Sequence, residues 1–349
     1  MSDWEFWIDV GGTFTDSFAR RADGSLTHYK VLSSGVIKGA AATGSSKDRI
    51  IDPARKVDPP EVWNGYSLRL LDAQGHALCE SSIARFDNQT GAMELAARLA
   101  HEPHEGQSYE IFSGAEAPIV AIRYLMGLGL ERAIPPVSVR LGTTRGTNAL
   151  ITRRGAKTAL VTTRGFGDVL DIGYQNRPRL FDLAIRKRAP LFAAVVEIDE
   201  RIDAAGQVLA SPDALAVRRQ LVGLKQRGIE SLAICLMHSY ARGDHEAMVA
   251  ALARVVDFEE ISVSSQVAPL VKIVSRGDTT VMDAYLNPIL RRYVRSLRDE
   301  MPESSLRLLT SAGGLIDAES FVGKDSILSG PAGGVVGFSR VAQAARLRR

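Results

Sequence analysis

Cysteine is nearly missing from this chain: Cys79 and Cys235 are the only two in 349 residues. They stand far apart in apolar, strand-like runs. That excludes a disulfide framework, a Cys-x-x-Cys redox motif and a thiolate metal cluster, and leaves two buried free thiols as the expectation. A charge excess is missing too. With 43 Lys and Arg against 40 Asp and Glu the net charge is +3, too small to hold nucleic acid or an anionic membrane surface. The one basic cluster, Arg346, Arg348 and Arg349, reads as the solvated tail of a helix. No run approaches the roughly 18 apolar residues of a spanning helix. The opening Met1-Ser2-Asp3-Trp4-Glu5-Phe6-Trp7 lacks the basic-then-apolar layout of a secretory signal. These absences point to a cytosolic globular protein, and 45% hydrophobic residues are enough for two or three domains.

What is present is patterned. Residues 4–10, 14–21 and 26–32 read as three strands joined by the turns Gly11-Gly12 and Ala22-Asp23-Gly24-Ser25, an antiparallel meander. Residues 33–60 carry poor signals. Tyr66 to Leu71 and Ala77 to Arg85 flank Asp72-Ala73-Gln74-Gly75 as a hairpin, and Met93 to His101 and Ala117 to Leu128 have helical apolar spacing. From Val137 onward strands and helices alternate. Strands are expected at 158–162, 231–237, 261–267 and 306–310, and helices from Ser211-Pro212 to Gly228, over 244–256, and from a cap at Asp278. The Gly-rich stretch 330–337 is expected to lead into a last helix. Alternation of this kind predicts an α/β architecture.

The sharpest local feature is Asp9-Val10-Gly11-Gly12-Thr13-Phe14-Thr15-Asp16 in the first turn. Two glycines let backbone approach a phosphate, their N–H groups and the Thr13 and Thr15 hydroxyls can donate to it, and Asp9 at a strand end can hold hydrated Mg²⁺. A tight hairpin turn with capping hydroxyls is the other reading. Competing phosphate signatures fail. Gly39 to Lys47 imitates a P-loop but has Ser45-Ser46 after Gly44, and Gly165-Phe166-Gly167 has Leu170 where a third glycine should stand.

Three further segments concentrate Gly, Ser, Thr, Arg and Asn between apolar runs. Leu141 to Leu150 holds Arg145, Thr147 and Asn148, Ser275 to Thr280 holds Arg276 and Asp278, and Ser329 to Gly334 holds Gly330, Gly333 and Gly334. Each suits an anion or amide at a helix start, and each alone is also ordinary cap and turn chemistry. His238 and His245 are seven apart and miss the helical zinc spacing, so a strand-end histidine beside a helix start is the better account.

Taken in order, Trp4 to Asp16, Arg140 to Gly155, Val161 to Leu183, Val196 to Asp203, Lys272 to Val294 and Thr310 to Gly337 resemble successive blocks of the hydantoinase/oxoprolinase family, and within it the first part of ATP-dependent 5-oxoprolinases. The resemblance is weakest between about 36 and 110. It implies an actin-like ATPase (ribonuclease H-like) fold with Mg-ATP between two domains. It also implies hydrolysis of 5-oxo-L-proline to L-glutamate through phosphorylation of the lactam carbonyl. Carried onto this sequence, it makes Asp9 and Asp16 catalytic, with Asp9 on Mg²⁺. Gly11, Gly12, Thr13, Thr15, Gly330, Gly333 and Gly334 become phosphate contacts, and Arg145, Thr147, Asn148, Arg276 and Asp278 cleft or substrate candidates. The implied layout is an N-terminal domain over 1–205, with a hairpin insertion near 60–115, and the start of a second domain over 206–349. The implied partners are a lactam substrate and either the rest of the family polypeptide or a hydantoinase B-like subunit. Two departures stand out. Family members often carry Arg where Val10 stands, which leaves an N-methylhydantoinase A or ATP-dependent ketone carboxylase subunit as the sister reading, beside a non-catalytic, truncated interaction module as the alternative of another class. A second motif of the form D-x-G-G-T-S-T-D is expected after 329–337 and does not occur in these 349 residues, so an incomplete ATP clamp is expected.

Overall fold

The computed structural model describes residues 4–177, 179, 181–185 and 187–346, so Met1 to Asp3 and the Arg348-Arg349 end of the basic tail lie outside the described residues. The chain is mixed α/β and divides into two compact units. Unit 1 comprises residues 1–145, 293–320 and 328–349, and unit 2 comprises 146–292 and 321–327. Packing therefore cuts the chain elsewhere than at residue 205, which falls inside unit 2. Among the described residues no helix is long and apolar enough to cross a membrane.

Unit 1 begins with the expected meander, β1 (Trp4–Val10), β2 (Phe14–Arg21) and β3 (Leu26–Leu32). Period-two alternation puts Phe6, Ile8 and Val10 of β1 and Thr15, Ser17 and Ala19 of β2 on a buried face. The opposite face carries Trp7 and Asp9 beside Phe18 and Asp16.

The stretch 33–116 builds a second sheet from β4 (Ile37–Ala40), β5 (Arg49–Ile51), β6 (Ser67–Leu71), β7 (Ala77–Asp87), β8 (Ala92–Leu95) and β9 (Ser108–Phe112), in the order β4-β9-β6-β7-β8-β5. Its core gathers Trp63, Tyr66, Leu68, Ile83, Met93 and Ile111. Asp58 is buried there because it accepts from Trp63 Nε1 at 2.7 Å and the Tyr124 hydroxyl at 2.9 Å. The helix expected over Met93 to His101 is instead β8, since that backbone is paired antiparallel to both β5 and β7. Helix α1 (Ala117–Met126) forms as expected, ends on Gly127 in the left-handed region, and packs on β1, β2 and β3.

Next come β10 (Ser138–Thr143), which pairs parallel to β1, and α2 (Arg145–Ile151). Unit 2 continues with β11 (Thr158–Thr163), α3 (Val169–Ile172), β12 (Phe192–Ile198), and the small pair β13 (Arg201–Ile202) and β14 (Val208–Ala210). Then follow α4 (Ala214–Gln226), β15 (Ser231–Cys235), α5 (Asp244–Val255), β16 (Glu260–Val263), α6 (Ser264–Val267) and α7 (Ile273–Glu300). Strands β12-β11-β15-β16 form an all-parallel sheet. Both faces are covered, by Val217, Leu221 and Val249 of α4 and α5 on one side and Val281 and Ala284 of α7 on the other. Cys235 is buried and free in this sheet, and Cys79 is free and half-buried.

Two expected caps move. Asp213, not Ser211, caps α4, accepting from Leu215 N at 2.8 Å. Asp278 is not a cap either, because α7 has already begun at Ile273. The chain then adds β17 (Ser305–Leu309), β18 (Leu315–Asp317) and α8 (Ser329–Ala344) to unit 1. The first sheet becomes β18-β17-β10-β1-β2-β3, with β1, β10 and β17 mutually parallel.

Candidate functional site

Strand register lays a row of side chains across the open face of the first sheet. Asp9 of β1 pairs with Gly142 of β10 on one side and with Asp16 of β2 on the other, and Asp16 in turn pairs with Lys30 of β3. Two carboxylates thus stand directly opposite each other, an arrangement that repels unless cations intervene. Asp16 has them: Lys30 Nζ lies at 2.9 Å and His28 Nε2 at 3.2 Å, and these bonds hold its pKa below the ordinary carboxylate value. Asp9 has none. It makes no hydrogen bond or ion pair among the described residues, and partial desolvation with the Asp16 charge beside it raises its pKa. Gly142 keeps the other flank open, since a Cβ there would stand 3.5 Å from Asp9 Oδ1.

The Gly11 to Phe14 turn sits beside this row. The Gly11 N–H closes the turn on the Phe14 carbonyl at 3.0 Å, which leaves the exposed Gly12 and Thr13 as its outward groups. Thr15 is buried. Its hydroxyl meets Ser33 Oγ at 3.0 Å, and Ser33 donates to the Gly11 carbonyl at 2.8 Å. Thr15 therefore braces the turn from behind instead of presenting a donor, which corrects the expectation of a phosphate contact there. Val10 also faces the core.

Helix α8 packs on β10 and β17. Its Gly-rich start was expected to precede the helix, yet Ser329 is already helical and the Ala332 N–H bonds to the Leu328 carbonyl. Pro331 is tolerated because it lies in the first turn. The N–H groups of Gly333 and Gly334 consequently fall within the helical ladder rather than at a free end. Gly333 serves closeness, because a Cβ there would come within 2.8 Å of Leu309 Cδ2. Together β1, β2, β10, β17 and α8 enclose a cavity of about 580 Å³ lined by Trp7, Asp9, Asp16, Phe18, Gly330 and Gly333, among others. The structure so brings Asp9, Asp16, Gly330, Gly333 and Gly334 to one cavity within unit 1. Lys30 and Gly142 also belong to the row: Lys30 is set by the register of the β2–β3 hairpin and Gly142 by the non-local parallel pairing of β1 with β10.

A Mg²⁺ ion fits this donor set in one particular way. Among the described residues no group of three acidic, His or Cys side chains could cage a metal, and this cavity offers Asp9, a carboxylate with no cationic neighbour, with Asp16 opposite it. That suits a cation that keeps its waters and takes its remaining ligands from phosphate oxygens.

The cleft candidates separate. Arg145 belongs to unit 1, where it pairs with Glu116 and lies over the Tyr293 ring at 4.2 Å. In unit 2 the Thr147 hydroxyl donates to the Ile327 carbonyl, and Asn148 is exposed on α2. Arg276 is fully buried, donating to Ser264 Oγ at 3.0 Å and to the carbonyls of Leu236 at 2.7 Å and Leu270 at 2.6 Å. It braces the core and is shielded from any ligand, contrary to its expected role. Asp278 is different: it is solvent-exposed, lines a cavity, has no partner among the described residues, and its pKa is raised by desolvation. His245 is held by Glu200 at 2.6 Å in a buried pair, in keeping with a structural histidine.

Comparison with known proteins places the chain in a lineage. A family model described as hydantoinase/oxoprolinase N-terminal region matches residues 98–256, and one described as hydantoinase/oxoprolinase matches residues 276–349. The chain is 37% identical over 263 residues to a 5-oxoprolinase of Saccharomyces cerevisiae, a match that takes in 64% of this chain and 20% of that relative. It thus spans about a fifth of the length of that relative. In fold it is similar to acetone carboxylase in its nucleotide-free structure, with a TM-score of 0.64 and 18% identity over 98% of this chain and 41% of that one. It is also similar to an ATP-dependent caprolactamase from Pseudomonas jessenii, with a TM-score of 0.62 and 21% identity over 97% of this chain and 40% of that one. The two family models together take in well over half of the residues, and the chain belongs to the hydantoinase/oxoprolinase family.

Proposed function

We propose that this chain carries the phosphate-binding part of a cytoplasmic ATP-dependent cyclic-amide hydrolase of the 5-oxoprolinase type. The observation that carries the proposal is Asp9, a carboxylate without a cationic partner, facing a second carboxylate beside a Gly-Gly turn in a cavity. Such a group is poorly placed for stability and well placed for a hydrated cation. The likeness to 5-oxoprolinases supplies the substrate class, and the sheet order, three antiparallel strands followed by parallel ones, supports an actin-like ATPase.

An unactivated lactam is a poor electrophile. Transfer of the γ-phosphoryl group of ATP to the ring carbonyl oxygen releases ADP and converts that oxygen into a leaving group. Water then adds to the carbon, the tetrahedral adduct expels the ring nitrogen, which takes up a proton, and a second water hydrolyses the resulting acyl phosphate to carboxylate and inorganic phosphate. Mg²⁺, when bound, supplies charge neutralisation at the transferring phosphoryl group. Asp9 orients the hydrated ion, the Gly12 and Thr13 backbone meets phosphate oxygens, and Lys30 with His28 keeps Asp16 ionised at its side. The remaining phosphate contacts are proposed to come from the rest of the family polypeptide or from a partner subunit.

The test is titration of the chain with ADP, with and without Mg²⁺, followed by phosphorus NMR and compared with Asp9→Ala. Metal-dependent binding that Asp9→Ala removes from a folded chain is the expected result. Metal-independent binding, or binding untouched by the substitution, would overturn the assignment. In a complete enzyme carrying this segment, ring opening against bicarbonate-dependent carboxylation separates an oxoprolinase from a ketone carboxylase.

A further inference from the structure

Helix α8 is barely used by its own fold. Its first turns are fixed: Ser329 Oγ donates to the Thr143 carbonyl at 2.8 Å, Gly333 meets Leu309, and the Val336 side chain lies against Gly313. Beyond them, every residue from Gly334 to Arg346 except Ala342 is exposed, Phe338 at 77% and Val341 at 68%. A helix face left in water is ordinarily polar, yet Arg340 is the one charged side chain of α8.

The exposed residues are ordered. Gly330, Gly334, Gly337, Val341 and Ala344 are spaced 4-3-4-3, so they fall within about 80° of one another around the helix and form a seam of the kind that packs on a second helix. Phe338 flanks it. The chain itself has no need of glycine at 334 or 337: a Cβ at either would meet nothing within 4 Å, whereas one at Gly333 would collide with Leu309. Glycine inside an exposed helix is destabilising relative to alanine, and what it permits is the close approach of another backbone.

The seam's own symmetry indicates which backbone. Laid antiparallel on itself about an axis between Val335 and Val336, it sets Val341 opposite Gly330, Gly334 opposite Gly337, and Phe338 beside Gly333 and Gly334. Each bulky side chain meets a glycine, which is the self-complementarity that a twofold interface requires. The two Arg340 side chains then stand about 14 Å apart along the axis and are screened from each other. Charge completes the match. The start of α8 is fastened to Thr143, the residue paired with Val10, so a helix running past Gly330 passes the end of β1, where Asp9 lacks a cation. Gly330 and Asp9 line the same cavity. An antiparallel copy brings its own Arg346 there, exposed and without an ion pair among the described residues.

We propose that two copies of this chain pair through α8 in this register, with Arg346 of each copy over Asp9 of the other. The pairing stands on the helix; its consequence, that the dimer blocks the phosphate-binding edge and Mg-nucleotide disperses it, rests on the phosphate reading above. The experiment is sedimentation velocity on the full, metal-free chain over a concentration series, with circular dichroism to show that each variant is folded. A reversible monomer–dimer equilibrium is expected. Gly334→Leu with Gly337→Leu should weaken it by about tenfold or more, because the added side chains overfill the seam between the copies. They fit the monomer and enlarge its apolar surface, so mere stickiness of α8 would give the opposite result. Arg346→Glu should weaken the pairing too, and ADP with Mg²⁺ should shift the chain toward monomer. A monomer at every concentration, association unchanged or strengthened by the leucines, or association indifferent to Arg346→Glu would overturn the proposal. A chain that binds ADP with Mg²⁺ through Asp9 and yet stays dimeric would overturn it as well. A dimer with the expected response to the leucines and to Arg346→Glu, in a chain that binds no ADP, would sink the phosphate reading and leave the pairing standing.

Discussion

Asp9 and Asp16 face each other across β1 and β2, and only Asp16 has cationic partners, so Asp9→Asn removes one of two like charges with almost no change of shape. Like charges directly opposite in an antiparallel pair are destabilising by roughly 0.2–1 kcal/mol. Asp9 keeps solvent access, so screening favours the lower half of that range. For units of 150–250 residues a kcal/mol corresponds to about 2–4 °C. Asp9→Asn should therefore raise the unfolding temperature at neutral pH by roughly 1–2 °C, and less in high salt.

The pH dependence has a definite sign. An acid whose folded pKa lies above its unfolded value of 3.8 holds its proton longer in the folded chain. The cost of ionising it is absent below that value and fully present once the pH has risen through the raised one. Wild type and Asp9→Asn should thus unfold together at about pH 3 and separate as the pH rises. Scanning calorimetry across that range checks it. In a complete enzyme the same substitution should lower ATP-dependent glutamate formation by about 10²–10³-fold or more, the loss typical of a group that stabilises charge in the transition state. A variant that is less stable at neutral pH, or one that is stabilised but fully active, would refute the argument that Asp9 is kept charged and unpartnered for a cation.

Arg276→Met should destabilise unit 2 by about 3 kcal/mol or more, because buried acceptors at Ser264, Leu236 and Leu270 lose their donor, and denaturant unfolding would show this. The outer face of α8 exposes Val335, Phe338 and Val341, so self-association measured by sedimentation should fall in Phe338→Glu with Val341→Glu; an unchanged association would mean that the contact lies elsewhere. These 349 residues contain one Asp-x-Gly-Gly-Thr turn, at Asp9 to Thr13, and a single turn meets a nucleotide from one side only. The chain alone should therefore show no ATP-dependent opening of 5-oxoproline above background, and an ordinary enzymatic rate would show that the missing donors lie within it.

Where the signals were local, the sequence was readable. The first meander was, because buried Phe6, Ile8 and Val10 alternate with the less buried Glu5, Trp7 and Asp9 and Gly-Gly breaks the run. The second sheet was largely hidden. Arg49–Ile51 is three residues long and pairs with Ala92–Leu95, more than 40 positions away, and short strands held by distant partners carry little periodicity of their own. Met93 to His101 looked helical for the same reason: spacing alone cannot weigh the two neighbouring strands that capture β8. Asp278 and the Gly-rich stretch from Gly330 carry local boundary signals, yet α7 starts at Ile273 and α8 at Ser329, and both helices run through those residues.

The candidate site divides along the same line. Asp9 and the Gly-Gly turn were legible, since their chemistry is packed into eight consecutive residues. What makes Asp9 distinctive was not. Its lack of a cation follows from a parallel pairing that puts Gly142 at its flank and from an antiparallel one that puts Lys30 on Asp16, one strand too far away. Moving that lysine one strand inward would satisfy Asp9, stabilise the sheet and remove the uncompensated carboxylate on which the proposed metal site rests. Register, which no octapeptide encodes, is what turns an acidic hairpin into a candidate phosphate site.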